Sequence, residues 1–279
     1  MTPRQANLVH SIAGEVSLVI TTYNRKDALE LVLLSIQNQS VLPTEVIVAD
    51  DGSRHDTRDL VEAYAKTFPV PLHHCWHEDD GFRLSAIRNR AIARARCAYI
   101  VMIDGDIILH KHFIRSHKKH ARKGVFLQGS RVLLQEAVTQ KALHDKNIAF
   151  SFFTPGVKNR MNALYLPALS GLVSYLNKDL FAIRGANLSF WRDDIVRVNG
   201  FNEDFVGWGR EDNEFMVRMQ NNNIQCWKMK LEGFGFHLYH PENSRTMLPQ
   251  NQAILDNAIA THAVRCPNGI DKYMPGAGV

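Results

Sequence analysis

Ala98-Tyr-Ile-Val-Met-Ile-Asp104-Gly105-Asp106 is the stretch that decides the predicted fold. Its apolar run from Tyr99 to Ile103 is typical of a strand that is buried on both faces, as the strands of parallel sheets are. Ligands of open α/β sheets bind just beyond the carboxyl ends of such strands. Two carboxylates in that position provide the hard oxygen ligands that suit Mg²⁺ or Mn²⁺. Because an isolated Asp-x-Asp also occurs by chance in acidic turns, its meaning depends on the motifs around it.

Two strands upstream end in polar residues in the same manner. One continues into Thr21-Thr-Tyr23-Asn-Arg25, and the other continues into Asp50-Asp51-Gly-Ser53. Helical spacing of apolar residues over 27–37, 56–68 and 83–96 predicts a parallel sheet with right-handed crossovers. The three polar strand ends would then meet at one edge and form a nucleotide pocket. Since the chain has neither a GxGxxG nor a Walker loop, a cation is expected to balance the phosphate charge.

Composition and charge narrow the class of protein. The 279 residues are 45% hydrophobic, which is ordinary for a globular protein, and they carry a net charge of +5. This mildly basic balance fits an anionic ligand or an acidic membrane surface, and no nucleic-acid-binding module is recognisable. The four cysteines are far apart, as expected for reduced thiols of a cytosolic protein. With neither a signal peptide nor a run of ~20 apolar residues, the chain is expected to be cytoplasmic and at most peripheral to a membrane.

The second half of the chain is less regular. Residues 110–123 are rich in Lys, Arg and His, which fits either a solvated helix face or a surface for anionic lipid headgroups. Residues 140–182 are interpreted as loops with apolar anchors, and the pattern leaves open whether they form a lid or an acceptor-side insertion. A strand is predicted over 185–191, and a helix after Arg210 carries acids in its first turn. Strands over 226–229 and 231–236 lead to two histidines.

A single domain is predicted over 15–245, because neither an internal repeat nor a low-complexity linker interrupts it. It comprises a nucleotide-binding half, 15–106, and an acceptor and catalytic half, 107–245. Residues 1–14 are predicted to be an N-terminal extension. Residues 246–279 are predicted to be a tail with a partly docked helix and a frayed Pro/Gly end.

Taken in order, the motifs resemble a known family. Val19-Ile-Thr-Thr-Tyr-Asn-Arg25, Val48-Ala-Asp-Asp-Gly-Ser53 and Asp104-Gly-Asp106 resemble inverting glycosyltransferase family 2, which has the GT-A fold. Gly185-Ala-Asn-Leu-Ser-Phe-Trp191 and Gly207-Trp-Gly-Arg-Glu-Asp-Asn-Glu214 resemble the galactosyltransferase carboxyl-terminal segment that is also seen in chondroitin-polymerase-like enzymes. The resemblance covers roughly residues 15–245. It implies an α/β fold with a single Rossmann-like, mostly parallel central sheet flanked by helices, and a smaller acceptor-side subsheet.

The resemblance also implies how the nucleotide is bound. Thr21 and Tyr23 would line the nucleotide pocket, and Arg83 would approach the nucleotide or its diphosphate. Asp51 would accept a hydrogen bond from the N3–H group of uracil. An ionised carboxylate only accepts hydrogen bonds, so it suits a base edge that donates one.

A metal site and a catalytic pair follow from the same resemblance. Asp104 would bond the ribose or a metal-bound water, Asp106 would ligate Mn²⁺ or Mg²⁺, and His237 would be the late histidine ligand, with His240 as its close rival. The remaining residues expected to act are the catalytic base, its acceptor-orienting neighbour and two acceptor-binding residues: Asp212, Glu211, Trp208 and Asn187. The alternative interpretations are a core or surface histidine and plain capping of a helix N-terminus.

The expected activity is metal-dependent, inverting transfer of a sugar from a UDP-sugar to a hydroxyl of a glycan or lipid-linked glycan, in bacterial cell-surface polysaccharide or lipopolysaccharide synthesis. One alternative is a sugar-phosphate nucleotidyltransferase, although residues 21–25 lack the glycine-rich signature expected for it. Another is a non-catalytic glycan-binding protein on the same fold. Arg210 stands where relatives often have glycine, so the acceptor is expected to differ. The sequence does not identify the donor sugar.

Overall fold

The computed structural model describes residues 14–241 and 244–275. The predicted N-terminal extension, apart from Gly14, and the last residues of the predicted tail lie outside this range. In the described part of the chain, none of the helices is both long enough and apolar enough to cross a membrane.

The first half of the chain forms the predicted alternation of strands and helices. Its elements are β1 (Val16–Thr22), α1 (Lys26–Gln37), β2 (Glu45–Asp50), α2 (His55–Ala65), β3 (Leu72–Trp76), α3 (Leu84–Arg94) and β4 (Tyr99–Asp104). The four strands are parallel and lie in the order β3-β2-β1-β4. The carboxyl ends of β1, β2 and β4 are therefore neighbours at one edge, as predicted.

The second half extends this sheet and adds a smaller one. Its elements are β5 (Ile107–Leu109), α4 (Phe113–His120), β6 (Val125–Gln128), β7 (Arg131–Leu133), α5 (Glu136–Asp145), α6 (Ser170–Val173), β8 (Tyr175–Asn177), β9 (Asn187–Trp191), α7 (Arg192–Arg197), α8 (Glu211–Asn221), β10 (Gln225–Lys228), β11 (Gly235–His237) and α9 (Leu248–Ala260). The central sheet has eight strands in the order β3-β2-β1-β4-β9-β6-β10-β8, and the small sheet has the order β5-β11-β7. An α/β fold with a large central sheet and a smaller second sheet is thus confirmed.

The central sheet is mixed rather than mostly parallel over its whole width. Strand β9 runs antiparallel to both β4 and β6, and β8 runs antiparallel to β10 at the far edge. The motif pattern of the first four strands could not reveal this, because β8 and β9 are short and follow an irregular stretch.

Successive side chains of a central strand pack alternately into two separate hydrophobic cores, one on each face of the sheet. In β4, Ile100 and Met102 pack in the core under α3 and α8, whereas Val101 and Ile103 pack in the core under α1 and α4. A continuous apolar run is needed because helices cover both faces.

The least readable part of the sequence is more ordered than predicted. Residues 140–182 contain the end of α5, α6 and β8, and β8 extends the central sheet beside β10. The predicted strand over 231–236 is much shorter, since β11 covers only Gly235–His237. In the tail, α9 packs against α8, and Ile270 is fully buried in the core beside α3.

Candidate active site

The acidic turn after β4 is held against the end of β1. The Thr21 hydroxyl donates a hydrogen bond to Asp104 Oδ1 at 3.0 Å, and the Gly105 N–H donates to the Thr21 carbonyl at 2.7 Å. A side chain at Gly105 would place its Cβ 2.8 Å from that carbonyl oxygen. The glycine between the two acids is therefore required by the close approach of the two strand ends.

Asp51 lies at the other end of this edge, where it is almost completely buried. Its Oδ1 pairs with His77 Nε2 at 2.7 Å, and its Oδ2 accepts a hydrogen bond from the Arg83 N–H at 2.9 Å. The Arg83 side chain pairs with Asp80 in the loop before α3. Arg83 thus contributes its backbone to the Asp51 environment, and its guanidinium faces the loop.

The loop over 77–82 closes this end of the cleft. Tyr23, which is half exposed, donates a hydrogen bond to Asp79 at 3.0 Å, and this bond raises the pKa of its phenol. Gly52 has φ +91°, and a Cβ there would lie 2.5 Å from the Asp79 Cα. Tyr23, Asp51 and Arg83, which were predicted to bind the nucleotide, therefore all lie beside the loop over 77–82.

Asp106, His237 and His240 form a compact group at the junction of the two sheets. One ligand atom from each residue lies within 4.8 Å of those of the other two. The small sheet explains the meeting, because Asp106 directly precedes β5 and His237 pairs with Ile107 across the β5–β11 ladder. The structure brings both rival histidines to the same carboxylate.

This group has the donors that a divalent cation requires. Asp106 Oδ1 is buried without a hydrogen-bond partner among the described residues, 3.5 Å from His237 Nε2, while Oδ2 pairs with Arg25 at 2.7 Å. Burial lowers the pKa of His237 despite the opposing effect of Asp106, so the imidazole is neutral at pH 7. Imidazole nitrogens together with a carboxylate oxygen are suitable ligands for Mn²⁺. The residues present fit the expected cation.

Glu211 and Asp212 begin α8 and face the same cleft. Asp212 Oδ2 accepts a hydrogen bond from the Gly185 N–H at 2.6 Å, just before β9, and Asp212 Oδ1 lies 3.3 Å from Arg88. Burial, together with the charge of Asp212, raises the pKa of Glu211 to about 8. At neutral pH Glu211 is therefore protonated and can donate a hydrogen bond.

Arg88 links the acids of the two halves. Its guanidinium is buried and lies 3.3–3.6 Å from carboxylate oxygens of Asp104, Glu211 and Asp212. Burial lowers the pKa of Arg88, but these three acids outweigh that effect and raise it, so the group stays charged. The helix that carries Arg88 thereby ties the nucleotide-side acids to the acids of α8.

Sequence reasoning missed Arg88 and the pairing role of Arg25. A signal for Arg88 was present, because it follows Leu84 by four positions and precedes Ala91 by three on α3. An arginine within an apolar helical stripe is a candidate for a buried ion pair. Arg25 sits in a quoted motif, but its partner is 81 positions away.

The two predicted acceptor-binding residues have different environments. Trp208 is 39% exposed beside α8, with the Arg245 guanidinium 5.6 Å from its ring centre. Asn187 is 1% exposed, and its amide donates to the carbonyls of Ser130 and Gly233. Asn187 therefore joins the two sheets and has no free surface for an acceptor.

Comparisons with known proteins identify the family of the chain. The family model of glycosyl transferase family 2 matches residues 17–180, and a model described as the N-terminal domain of galactosyltransferase matches residues 175–241. Chondroitin synthase of Escherichia coli is 25% identical over 259 residues, which cover 83% of this chain and 35% of the relative. Validoxylamine A glucosyltransferase of Streptomyces hygroscopicus subsp. limoneus is 25% identical over 270 residues, 90% of this chain and 58% of the relative. The chain thus spans between about a third and three fifths of the length of these relatives.

Solved structures show the same fold. S. aureus TarS 1–349 in complex with UDP superposes with a TM-score of 0.59 at 15% identity, covering 93% of this chain and 69% of that one. The mannosyltransferase PcManGT from Pyrobaculum calidifontis, in complex with GDP-Man and Mn²⁺, gives a TM-score of 0.54 at 16% identity, covering 89% and 73%. The GT-A fold is confirmed. Since the first family model spans more than half of its length, the chain belongs to glycosyl transferase family 2.

Proposed function

We propose that this protein is a metal-dependent, inverting glycosyltransferase that uses a UDP-sugar. The observation that carries the proposal is the convergence, at one sheet edge, of a cation-binding group and a buried acid pair. Asp106, His237 and His240 form the cation-binding group, and Arg88 links Asp104 to the acids of α8. The solved TarS complexes contain UDP or UDP-GlcNAc, which supports a uridine nucleotide as the donor.

In this proposal Asp51 accepts the N3–H of uracil, and Thr21 and Tyr23 line the base and ribose. The Asp51 carboxylate is already positioned by His77 and by the Arg83 N–H, and it retains unused lone pairs. Asp106, His237 and His240 would hold Mn²⁺ or Mg²⁺, which when bound stabilises the negative charge of the departing diphosphate. Asp104 would bind the ribose or a water on the cation.

Asp212 acts as the general base. It removes the proton of the acceptor hydroxyl while that oxygen attacks the anomeric carbon from the side opposite UDP, so the configuration inverts. Glu211, protonated at neutral pH, donates a hydrogen bond that orients the acceptor, and Trp208 offers an apolar face to a sugar ring. Arg88 places a buried positive charge 3.3 Å from Asp212.

The acceptor class and the cellular setting are part of the proposal. A glycan or lipid-linked glycan in cell-surface polysaccharide synthesis is supported by the relatives, which include a putative teichuronic acid biosynthesis glycosyltransferase of Bacillus subtilis. Three of the basic residues of α4 are engaged within the protein, which argues against a role in membrane contact. Burial lowers the pKa of His117 to about 3, and Lys119 and His120 both pair with Glu232.

Release of UDP from a panel of UDP-sugars tests the proposed function. We expect slow, Mn²⁺-dependent release of UDP from one or a few donors without acceptor, and strong loss of this hydrolysis in Asp106→Ala. A matched control is Asp193→Ala, which removes an exposed carboxylate from the first turn of α7. Release of pyrophosphate from a nucleoside triphosphate and a sugar phosphate would instead support a nucleotidyltransferase. If no UDP-sugar bound or reacted, a non-catalytic role would replace the proposal.

A further inference from the structure

A lysine that the proposed mechanism does not use lies at the same sheet edge as the site. Lys228 ends β10, which runs parallel to β6, and both β6 and β4 run antiparallel to β9. The carboxyl ends of β4, β6 and β10 therefore point the same way, and Lys228 lies on the edge that carries Asp104. The partly buried ammonium of Lys228 donates a hydrogen bond to the Gly129 carbonyl at 3.3 Å.

Three further cations surround Lys228. Arg131 begins β7 two residues after Gly129, whose carbonyl the Lys228 ammonium contacts, and Lys230 follows β10. Arg184 lies two residues after Ala182, whose carbonyl accepts a hydrogen bond from the side chain of Gln128, the β6 residue that pairs with Lys228. Burial and the charges of these three residues lower the pKa of Lys228 to about 8, although Cys226 has an opposing effect. Within residues 14–241 and 244–275, none of the four cations forms an ion pair with a carboxylate. This group is called the cationic cluster below.

Such an arrangement is unfavourable for folding by itself. Burial is the largest cause of the lowered pKa of Lys228, and the like charges of Lys230, Arg131 and Arg184 lower it further. Among the residues that the structure describes, the Arg184 guanidinium donates only to the carbonyls of Phe181 and Ile183. A bound anion would relieve the repulsion and use the remaining donors.

The position of the cationic cluster assigns the anion to the acceptor. Arg184 is next to the residue that holds the proposed base, and Arg131 pairs with Gly235 on β11, the strand that ends at His237. The cluster thus borders the cleft between the cation-binding group and Asp212, on the side of β10 and β8. Asp51, at the base-binding end, lies beyond β4 and β1 in the order of the strands.

Resting on the proposed function, we propose that Arg131, Arg184 and Lys228 form a subsite for an oxyanion of the acceptor. The oxyanion is the carboxylate of an acidic sugar or the phosphate that joins a glycan to its carrier. Both groups accept the charge-assisted hydrogen bonds that arginine and lysine offer. The subsite would select acceptors whose negative charge lies near the attacking hydroxyl.

NMR of dimethylated lysines tests the subsite directly, because ¹³C-methylation keeps the positive charge. The protein is first saturated with UDP and Mg²⁺ and then titrated separately with methyl phosphate, methyl β-D-glucuronide and neutral methyl β-D-glucoside. Lys228→Arg assigns the Lys228 signal. We expect that signal to shift saturably with one or both anions and not with the glucoside, while the signal of exposed Lys141 stays still.

Two variants separate the subsite from general attraction to a basic protein. Arg184→Gln and Arg131→Gln should each weaken anion binding about tenfold, as expected for the loss of a charge-assisted contact. Arg58→Gln, an exposed substitution on α2, should leave it unchanged. A response to methyl phosphate alone identifies a phosphate-linked acceptor, and a response to the glucuronide alone identifies an acidic sugar.

The contrary outcomes are distinct. If neither anion shifts the Lys228 signal, or if the glucoside shifts it equally, the subsite does not exist. If UDP itself shifts the signal and prevents anion binding, the cluster serves the donor diphosphate and the acceptor assignment is wrong. Failure of UDP and Mg²⁺ to bind would refute the proposed function, whereas the anion titrations of the free protein would still test the cationic cluster.

Discussion

Arg88 determines how the individual acids of the site behave. One buried guanidinium is shared by Asp104, Glu211 and Asp212, so a single positive charge balances up to three negative ones. Full compensation is impossible, and Glu211, the most deeply buried of the three acids, takes up a proton instead, with a pKa of about 8. The two adjacent acids of α8 thereby acquire different roles.

Asp212→Asn is expected to abolish the base without disturbing donor binding. The amide still accepts the hydrogen bond from Gly185 but cannot take a proton, so we expect sugar transfer or donor hydrolysis to fall about 100-fold or more. The Kd for UDP should remain unchanged, as measured by calorimetry. Asp193→Asn serves as the control. Undiminished turnover in Asp212→Asn would remove this residue from the mechanism.

Glu211 should make stability depend on pH. Its pKa is raised to about 8 in the folded protein, so between about 4.5 and 8 the folded state binds more protons than the unfolded state. Stability therefore falls as pH rises through this window. The Tm of Glu211→Gln, which cannot ionise, should rise relative to wild type between pH 6 and pH 9. A constant Tm difference would contradict the protonated state of Glu211.

Candidate site residues are easiest to recognise in a sequence where the chemistry is local to a motif. Asp51, Asp104 and Asp106 follow strand ends and Asp212 lies in the first turn of a helix, and their roles stay predictions. Arg88 and Arg25 could not be placed in the same way, because Asp212, a partner of Arg88, is 124 positions away and Asp106, the partner of Arg25, is 81 positions away. Asn187 is in β9, beside the predicted site, but its side chain faces the small sheet, where its amide bonds to Ser130 and Gly233. A sequence does not show which side of a strand meets a second sheet.

At the scale of elements, a buried carboxylate explains why the basic helix α4 lies where it does. Burial raises the pKa of Glu232, but hydrogen bonds from His120, Lys119 and Ser170 outweigh this effect and lower it to about 2. Glu232 lies between β10 and β11, so this contact fastens α4 to the segment that leads to His237. Lys119 and His120 of α4 thus stabilise the fold by pairing with a buried carboxylate.

Glu232→Gln is expected to lower the free energy of unfolding by about 3 kcal/mol, because it removes the buried anion that His120, Lys119 and Ser170 contact. In the wild type this contribution is present above pH 4.5 and is lost as the pH falls through about 2. Urea unfolding at pH 7 measures the difference, and Glu62→Gln, on an exposed pair of α2, is the control. A change below 0.5 kcal/mol would show that Glu232 is dispensable.

The order of the elements was predictable for the first half of the chain and not for the second. Strands β1, β2 and β4 are recognisable in the sequence because each is a long apolar run that ends in polar residues. Strands β5, β7, β8 and β11 have three residues each, too few for a period to be recognised, and their pairing depends on contacts between distant segments. The resemblance implied a smaller subsheet, but its strands and their order, which bring His237 to Asp106, came only from the structure.

At the scale of the whole molecule, the site joins the two halves of the domain. Donor-side residues follow β1, β2 and β4, whereas the proposed base is on α8 and both histidines lie around β11. Binding of UDP with Mn²⁺ should consequently stabilise both halves together. At 100 times the Kd, one bound ligand contributes about 2.7 kcal/mol to the free energy of unfolding.

A single cooperative rise in Tm with UDP and Mn²⁺ together, and a much smaller rise with either alone, is the expected result in differential scanning calorimetry. The coupling arises because the cation and the diphosphate complete each other's coordination. Two separate transitions, of which only one shifts, would show that the ligand is held by one half alone.

Electron paramagnetic resonance of Mn²⁺ tests the central claim most directly, because it counts bound cations. In the presence of UDP we predict one tightly bound Mn²⁺ per chain, and a loss of affinity of at least about 100-fold in Asp106→Ala and in the double variant His237→Ala/His240→Ala. Asp193→Ala should bind like the wild type. Equal Mn²⁺ affinity in Asp106→Ala and the wild type would contradict the account.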